Sequence, residues 1–167
     1  FMGNSADVKV NGKTVHLQQE TNYPWSGNIQ LNVSPKGKQT FNLKIRIPGW
    51  VKNSAVPGNL YSYTDKKNLH YSIKINGKAV EATEEKGYFT IQRSWKKGDS
   101  VEIHFDMEAR TVKAHPLVEA DRGKIAIERG PLVYCAEWPD NDFSVLSILL
   151  NKKPQFEVRS KPELLYG

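Results

Sequence analysis

Cysteine is the most nucleophilic side chain at neutral pH, and this sequence contains a single one, Cys135. A reactive thiolate needs a basic partner or a helix N-terminus that lowers its pKa, together with access to solvent. The neighbours Tyr134 and Ala136 supply neither. The sequence therefore predicts a small, buried core residue at position 135, and a single Cys also excludes an internal disulfide.

The four histidines are candidate metal ligands by residue type. His16, His70 and His104 stand alone at outward-facing strand positions, and His115 precedes a proline in a loop. A zinc site needs three or four ligands, usually with short paired spacings. None of the four has such a partner in the sequence, so we predict no metal site in this chain.

Two carboxylates in one loop are the remaining candidates for acid–base chemistry. Glu119 and Asp121 lie in residues 115–123 beside Arg122. Glycoside hydrolysis uses a pair of carboxylates about 5–10 Å apart, but two acids in one loop do not specify that separation. Acidic residues are also common at surfaces. We expect Arg122 to pair with one of them, and an autonomous hydrolase built on this loop is a minor hypothesis.

Aromatic residues in turn-rich segments form the last candidate group. Exposed rings stack on sugar faces, whereas buried rings close the ends of a fold or dock a neighbouring domain. Packing or docking is favoured here because Trp is usually largely buried. The candidates for domain docking or sugar contact, with the first two tryptophans preferred for docking, are Tyr23, Trp25, Trp50 and Trp138.

Composition and charge exclude several classes of protein. With 167 residues, 38% of them hydrophobic and 25% charged, the chain has the make-up of a folded domain. The net charge of +6 comes from lysines scattered over turns and polar strand faces, whereas a nucleic-acid binder concentrates them in one patch. No apolar run approaches the roughly 20 residues of a membrane span. Because Phe1 precedes Met2 and residues 164–167 are apolar, we expect a piece of a longer polypeptide.

Two Asn-Gly hairpins set the pattern of strands. Residues 8–15 and 73–80 each fold about an Asn-Gly pair, which favours a type I′ turn. The first hairpin places Val8 opposite Val15, and the second places Ile73 opposite Val80. We interpret the likeness as shared turn chemistry and not as an internal repeat, because the flanking residues do not align.

Alternation of apolar and polar residues predicts about ten to twelve strands and no long helix, apart from a short turn near 141–147. Residues 131–137 are apolar on both faces and predict a strand covered on both sides. We therefore predict an all-β fold, an antiparallel β-sandwich of jelly-roll type. The expected boundaries are a sandwich over 1–140 and a C-terminal extension over 141–167, interpreted as the truncated start of a following segment.

Four blocks of sequence occur in the order that they take in one enzyme family. The blocks are ETNYPWSG (20–27), LKIRIPGW (43–50), GYFTI with WKKGD (87–91 and 95–99), and DRG through RGPLVYC (121–123 and 129–135). Together they resemble glycoside hydrolase family 127, the β-L-arabinofuranosidase family, once a domain of unknown function and close to family 146. The resemblance extends over residues 1–140.

The resemblance implies the C-terminal β-sandwich region of such an enzyme. In that family the active site lies in a preceding (α/α)6 barrel, where a Glu and Cys ligands hold zinc and one Cys is the nucleophile of a retaining mechanism. None of those motifs matches a position here, so we carry over no catalytic or metal residue and do not assign Cys135 as the nucleophile. Zinc is implied only for the catalytic domain of the parent.

The leading hypothesis is a non-catalytic β-sandwich domain that braces the (α/α)6 domain of a bacterial glycoside hydrolase. The parent would act on plant-type, arabinose-containing glycans in the periplasm or outside the cell, and a homodimer is an open alternative. The second hypothesis is a carbohydrate-binding module that stacks sugars on exposed Trp or Tyr rings. We expect neither nucleic acid nor membrane as a partner.

Overall fold

The computed structural model describes residues 1–81, 83–152, 154–161 and 163. All strand pairings in this part of the chain are antiparallel. The strands are β1 (Asn4–Val10), β2 (Lys13–Thr21), β3 (Asn28–Pro35), β4 (Gln39–Arg46), β5 (Tyr61–Tyr63), β6 (Tyr71–Ile75), β7 (Lys78–Ala79), β8 (Glu84–Glu85), β9 (Tyr88–Trp95), β10 (Asp99–Phe105), β11 (Ala109–Ala114), β12 (Ile125–Arg129) and β13 (Leu132–Tyr134). Short 3-10 helices lie at Gly49–Lys52, Glu119–Asp121, Trp138–Asp140 and Val145–Ser147. Within these residues, no helix is long and apolar enough to cross a membrane.

The first layer is a six-stranded sheet in the order β1-β2-β3-β10-β6-β7. Both predicted hairpins are confirmed in register: Val8 pairs with Val15 across the first turn, and the amide of Val80 donates to the carbonyl of Ile73 across the second. In each turn the Asn has a φ of 50° and the Gly a φ of 77°. These positive values are those of a type I′ turn, which explains the Asn-Gly sequence.

The second layer is a three-stranded sheet in the order β4-β9-β8. The chain passes from the first layer to the second for β4, returns to the first for β6 and β7, and enters the second again for β8 and β9 before β10 completes the first. As a result, β3 pairs with β10 and β4 pairs with β9. This nested pairing is the jelly-roll arrangement. The predicted antiparallel β-sandwich is confirmed. The predicted strand number is slightly low because β5 and β8 are too short to show alternation.

Alternating side chains of the two layers form the core. Trp95 and Phe105 are its largest fully buried members. Trp95 stacks on Phe41 with ring centroids 5.7 Å apart, and its indole N–H donates to the Phe41 carbonyl at 3.1 Å. The other buried apolar residues are Val15, Ile29, Val33, Ile45, Ile47, Trp50, Val51, Tyr63, Leu69, Ile73, Ile75, Phe89, Ile91, Val101, Ile103 and Val112.

A third, four-stranded sheet in the order β13-β12-β11-β5 joins this core through Arg110. The Arg110 side chain is buried, and its guanidinium lies 3.5 Å from the centroid of the Tyr63 ring. It donates to Asn53 Oδ1 at 2.6 Å and to the Trp50 carbonyl at 3.4 Å, and it forms an ion pair with Asp65. The hydrogen bonds from Arg110 hold the pKa of Asp65 below its usual value. One side chain thus connects β11, β5 and the first 3-10 helix.

The predicted core strand at 131–137 is wrong in length and burial. Only Leu132–Tyr134 is a strand, at the edge of the four-stranded sheet, and Val133 is 65% exposed. The apolar pattern correctly indicated a strand with apolar residues on both faces. In the described part of the chain, however, much of the surface of this strand is exposed. Periodicity predicts that a strand has apolar faces, but it does not identify the residues that pack against them.

A buried carboxylate links the second Asn-Gly turn to the turn between β9 and β10. Asp99 accepts hydrogen bonds from Asn76 Nδ2 at 2.9 Å and from the Lys96 amide at 3.0 Å, with Arg93 3.7 Å away. Burial tends to raise the pKa of Asp99, but these donors and cations outweigh it and hold the pKa below its usual value. The charged form of Asp99 is therefore part of the stable fold.

Replacing Arg110 by Ala should lower the free energy of unfolding by about 3–5 kcal/mol, because it removes a buried ion pair and leaves its acceptors without a donor. Urea denaturation followed by tryptophan fluorescence measures this change. The control is Arg122→Ala, which removes an exposed ion pair with Glu119 and should cost less than about 1 kcal/mol. Equal losses in the two variants would contradict a linking role for Arg110.

The Asp99→Asn variant should be less stable than the unaltered chain at pH 7, and the difference between their free energies of unfolding should shrink as the pH falls. The reason is that the pKa of Asp99 is lower in the folded chain than in the unfolded chain, where it is about 3.9. The charged carboxylate therefore contributes its full share of the free energy of unfolding above the unfolded pKa, and this share is lost as the pH falls through the folded pKa. Urea denaturation at pH 7, 5 and 3 measures the difference. A difference that stays constant with pH would show that the charge of Asp99 contributes nothing.

Candidate functional site

Both carboxylates of the predicted acidic loop, residues 115–123, make structural contacts with nearby side chains. Glu119 and Asp121 lie in a single 3-10 turn. Arg122 Nη2 lies 3.6 Å from Glu119 Oε1, which confirms the expected pairing. The hydroxyl of Tyr61 donates to Asp121 Oδ2 at 2.9 Å, and this bond raises the pKa of Tyr61. Both carboxylates therefore have partners that tie the loop to itself and to β5.

The prediction that Cys135 is buried is wrong. The residue lies just after β13 and is exposed, and its thiol contacts the carbonyl of Ala136 at 3.6 Å. Among the described residues, no basic side chain is hydrogen-bonded to it.

His16 pairs with Asp7 at 2.8 Å, and no group of three His, Cys, Asp or Glu side chains able to hold a metal ion occurs in the part of the chain that the structure describes.

The four aromatic candidates divide into buried and exposed residues. Trp50 packs edge-on against Phe105 inside the core, with ring centroids 5.8 Å apart, and is only 8% exposed. Its preferred role as a docking residue is therefore corrected. Tyr23 is half-buried, which raises the pKa of its phenol. Trp25 and Trp138 are exposed and keep their place as candidates for docking or sugar contact.

The loop that carries Trp25 is tied by hydrogen bonds to itself and to the four-stranded sheet. The amide of Trp25 donates to the Asn22 carbonyl at 2.8 Å, and Arg129 in β12 donates to the Trp25 carbonyl at 3.0 Å. A Cβ atom at Gly27 would lie 1.9 Å from the Phe105 carbonyl oxygen, so only glycine fits where the loop enters β3. The exposed ring of Trp25 therefore projects from a fixed support.

Exposed apolar side chains concentrate in the last third of the chain. Eleven of the sixteen exposed large hydrophobic residues in the described part follow residue 116, whereas no residue beyond Val112 belongs to the buried core there. We name them the C-terminal apolar surface, which comprises Leu117, Ile125, Val133, Tyr134, Trp138, Phe143, Leu146, Ile148, Leu149, Leu150 and Val158. This part of the chain has apolar residues without a core of its own.

The segment 156–159 covers one face of the four-stranded sheet incompletely. Cross-strand pairing places Thr111, Ile127 and Tyr134 on that face. A cavity of about 340 Å³ lies between Ile127 and Tyr134 on the sheet and Phe156 and Val158 on the segment. The sheet and its covering segment therefore contact each other without closing the apolar interior.

A second feature lies on the outer face of the six-stranded sheet. There the outward-facing residues of β2, β3, β10 and β6, with the Trp25 loop at one end, enclose an open cavity of about 690 Å³. We name it the polar groove, and the residues that define it are Glu20, Asn28, Gln30, Lys74, Glu102 and His104. The sequence alone does not reveal this groove, because the alternation shows which residues face outward but not which strands are neighbours.

Comparison with family models shows where this fold is found. The model of the β-L-arabinofuranosidase GH127 middle domain matches residues 1–107, and the model of the glycoside hydrolase family 127 C-terminal domain matches residues 109–165. The chain belongs to glycoside hydrolase family 127. The junction between the two GH127 models falls between β10 and β11, just before Arg110. The boundary predicted at residue 140 is not tested by these matches and stays a prediction.

Solved GH127 structures contain the same fold. A GH127 β-arabinofuranosidase is 56% identical over the whole chain with a TM-score of 0.95, and the match covers 26% of that protein. A GH127 β-L-arabinofuranosidase from Geobacillus stearothermophilus T6 is 36% identical over 97% of the chain, with a TM-score of 0.82, and 23% of that protein is covered.

A curated GH127 relative gives the same picture. The non-reducing end β-L-arabinofuranosidase of Bifidobacterium longum subsp. longum is 34% identical over 146 residues, which are 84% of this chain and 19% of the relative. The chain therefore spans about a fifth to a quarter of the length of the relatives it matches.

Proposed function

We propose that this chain is the non-catalytic β-sandwich region of a longer GH127 enzyme, and that it braces the catalytic (α/α)6 barrel. The observation that carries this proposal is the C-terminal apolar surface. Its members include Val133 and Tyr134, which lie on opposite faces of β13, and exposed apolar side chains concentrated in one part of a chain mark an interaction site. The remainder of the polypeptide is the natural cover for this surface.

The length of the relatives supports an intramolecular partner. The chain corresponds to only 19–26% of the proteins it matches, so a parent of that size has several times this chain's length available for docking. Burial of each large apolar side chain stabilises an interface by about 1.5–3 kcal/mol. A surface with residues such as Val133, Trp138 and Phe143 can therefore hold a second domain firmly.

The chemistry of the parent is also part of the proposal. The relatives are named as β-L-arabinofuranosidases, and we assign to the parent the hydrolysis of arabinose-containing glycans of plant type. The described residues here contain no metal-binding group of side chains. The zinc that the family resemblance implies is therefore assigned to the catalytic domain, and this chain contributes positioning and stability.

Two substitutions on the C-terminal apolar surface test the bracing role. In the full-length parent, Val133→Ser combined with Trp138→Ser should lower the midpoint of thermal unfolding and reduce turnover, because about 3 kcal/mol of apolar burial is lost. In the isolated chain the same change should lower the midpoint much less, since both side chains are already more than half exposed there. Differential scanning calorimetry and release of arabinose measure the two effects.

The matched control is Met2→Ser combined with Leu60→Ser, two apolar residues outside this surface that are 68% and 55% exposed. It should leave the parent unaffected. Equal effects of the two double variants would contradict the proposal. Sedimentation velocity provides a second contradicting outcome. If the Val133→Ser/Trp138→Ser change converts a dimeric parent to monomers and leaves its unfolding midpoint unchanged, the partner of this surface is a second copy of the protein.

A further inference from the structure

We propose that the polar groove is a binding site for a neutral oligosaccharide that contains arabinose. The sugar class rests on the proposed function of the parent, whereas the preference for a neutral, hydroxyl-rich ligand follows from the groove itself. The site is separate from the C-terminal apolar surface, because the groove lies on the six-stranded sheet and the apolar surface lies on the four-stranded sheet and the segments that follow it.

The strand register aligns polar side chains in one row across the groove. Glu20 pairs with Gln30, Gln30 pairs with Glu102, and Glu102 pairs with Lys74. Cross-strand partners point to the same face of a sheet, and neighbouring strands are about 4.8 Å apart. The row therefore extends about 14 Å, which is long enough for a short oligosaccharide to contact all four side chains.

Hydrogen bonds connect polar side chains that line the groove to one another and to neighbouring side chains. Gln30 Nε2 donates to Asn32 Oδ1 at 3.3 Å, and Asn32 Nδ2 donates to Glu20 Oε1 at 3.4 Å. The ring of His104 lies between Asn28 Oδ1 at 2.6 Å and Asp106 Oδ1 at 3.0 Å. Such preorganisation reduces the loss of side-chain entropy on binding.

The chemistry of the lining selects among ligand classes. Its charged groups are two carboxylates, Glu20 and Glu102, and one ammonium, Lys74, so the groove has no excess of positive charge for a phosphate or an acidic glycan. The apolar residues of its floor, Ile29 and Ile103, turn their side chains into the core. Amide, carboxylate and ammonium groups offer both donors and acceptors, as the hydroxyls of a sugar require.

The same lining argues against a protein domain as the occupant. Interfaces between domains that remain docked have an apolar centre with a polar rim, and charged residues are depleted at that centre. The polar groove has the reverse composition, with charged and amide side chains at its middle. A hydrated polyol can exchange its water contacts for these groups, whereas an apolar domain surface cannot.

Isothermal titration calorimetry of the chain with arabinan-derived oligosaccharides tests the proposal. We expect saturable binding with a Kd of about 1 mM or tighter. Gln30→Ala combined with Glu102→Ala should weaken binding by at least about tenfold, since it removes the two central groups of the row. The matched control is Asn42→Ala combined with Gln92→Ala, a cross-strand pair of exposed polar residues on the other sheet, and it should bind like the unaltered chain.

Three results would overturn the proposal. The first is a flat titration, and the second is binding that the groove variant retains but Trp25→Ala abolishes, because the sugar would then stack on an exposed ring. The third is binding of xylo-oligosaccharides in place of arabino-oligosaccharides. The stability tests of the bracing role use a different surface and the full-length parent, so failure of one proposal leaves the other standing.

Discussion

The buried guanidinium of Arg110 is the interaction on which the arrangement of the sheets depends. It lies against the Tyr63 ring and binds Asp65, Asn53 and the Trp50 carbonyl, and these groups come from a strand and turns that are distant in sequence. A buried cation is tolerated only when its hydrogen bonds are satisfied in good geometry. The position of β11 relative to the sandwich is therefore narrowly defined.

The buried core and the C-terminal apolar surface meet at β11. Up to Val112 in β11, the chain contributes to one buried core that begins at Val15. After Val112, the apolar residues of the four-stranded sheet and the following segments stay largely in contact with water in the described structure, although their composition is that of a core. The simplest physical account is that their burial is completed by another part of the GH127 polypeptide, with Arg110 fixing the angle at which this surface is presented.

The sandwich could be predicted from the sequence because its signals are local. The Asn-Gly turns require positive φ, and the alternation of Ile29, Leu31 and Val33 fixes which face is buried. The failures share a different physical cause. Cys135 and Val133 were assigned to the core because their side chains are apolar, but burial depends on what covers a strand. Trp50 is predicted as a docking residue because it lies in a turn-rich segment, whereas the 3-10 helix Gly49–Lys52 buries its side chain.

The polar groove could not be predicted for a related reason. Each of its residues is recognisable as outward-facing, but Glu20, Gln30, Glu102 and Lys74 are brought into one row by the order β2-β3-β10-β6, in which Gln30 pairs with Glu102, a residue far along the chain. Arg110 was missed as well, because an arginine in a strand is usually an exposed residue. Long-range pairing, and not local pattern, creates both features.

Hydrogen–deuterium exchange, compared between the isolated chain and the full-length GH127 parent, distinguishes a covered C-terminal apolar surface from an uncovered one. We expect backbone amides of β13 and of residues 138–150 to exchange rapidly in the isolated chain and to become strongly protected in the parent, while amides of β3, β9 and β10 are protected equally in both. Equal, rapid exchange of the C-terminal amides in both proteins would contradict a bracing interface on this surface.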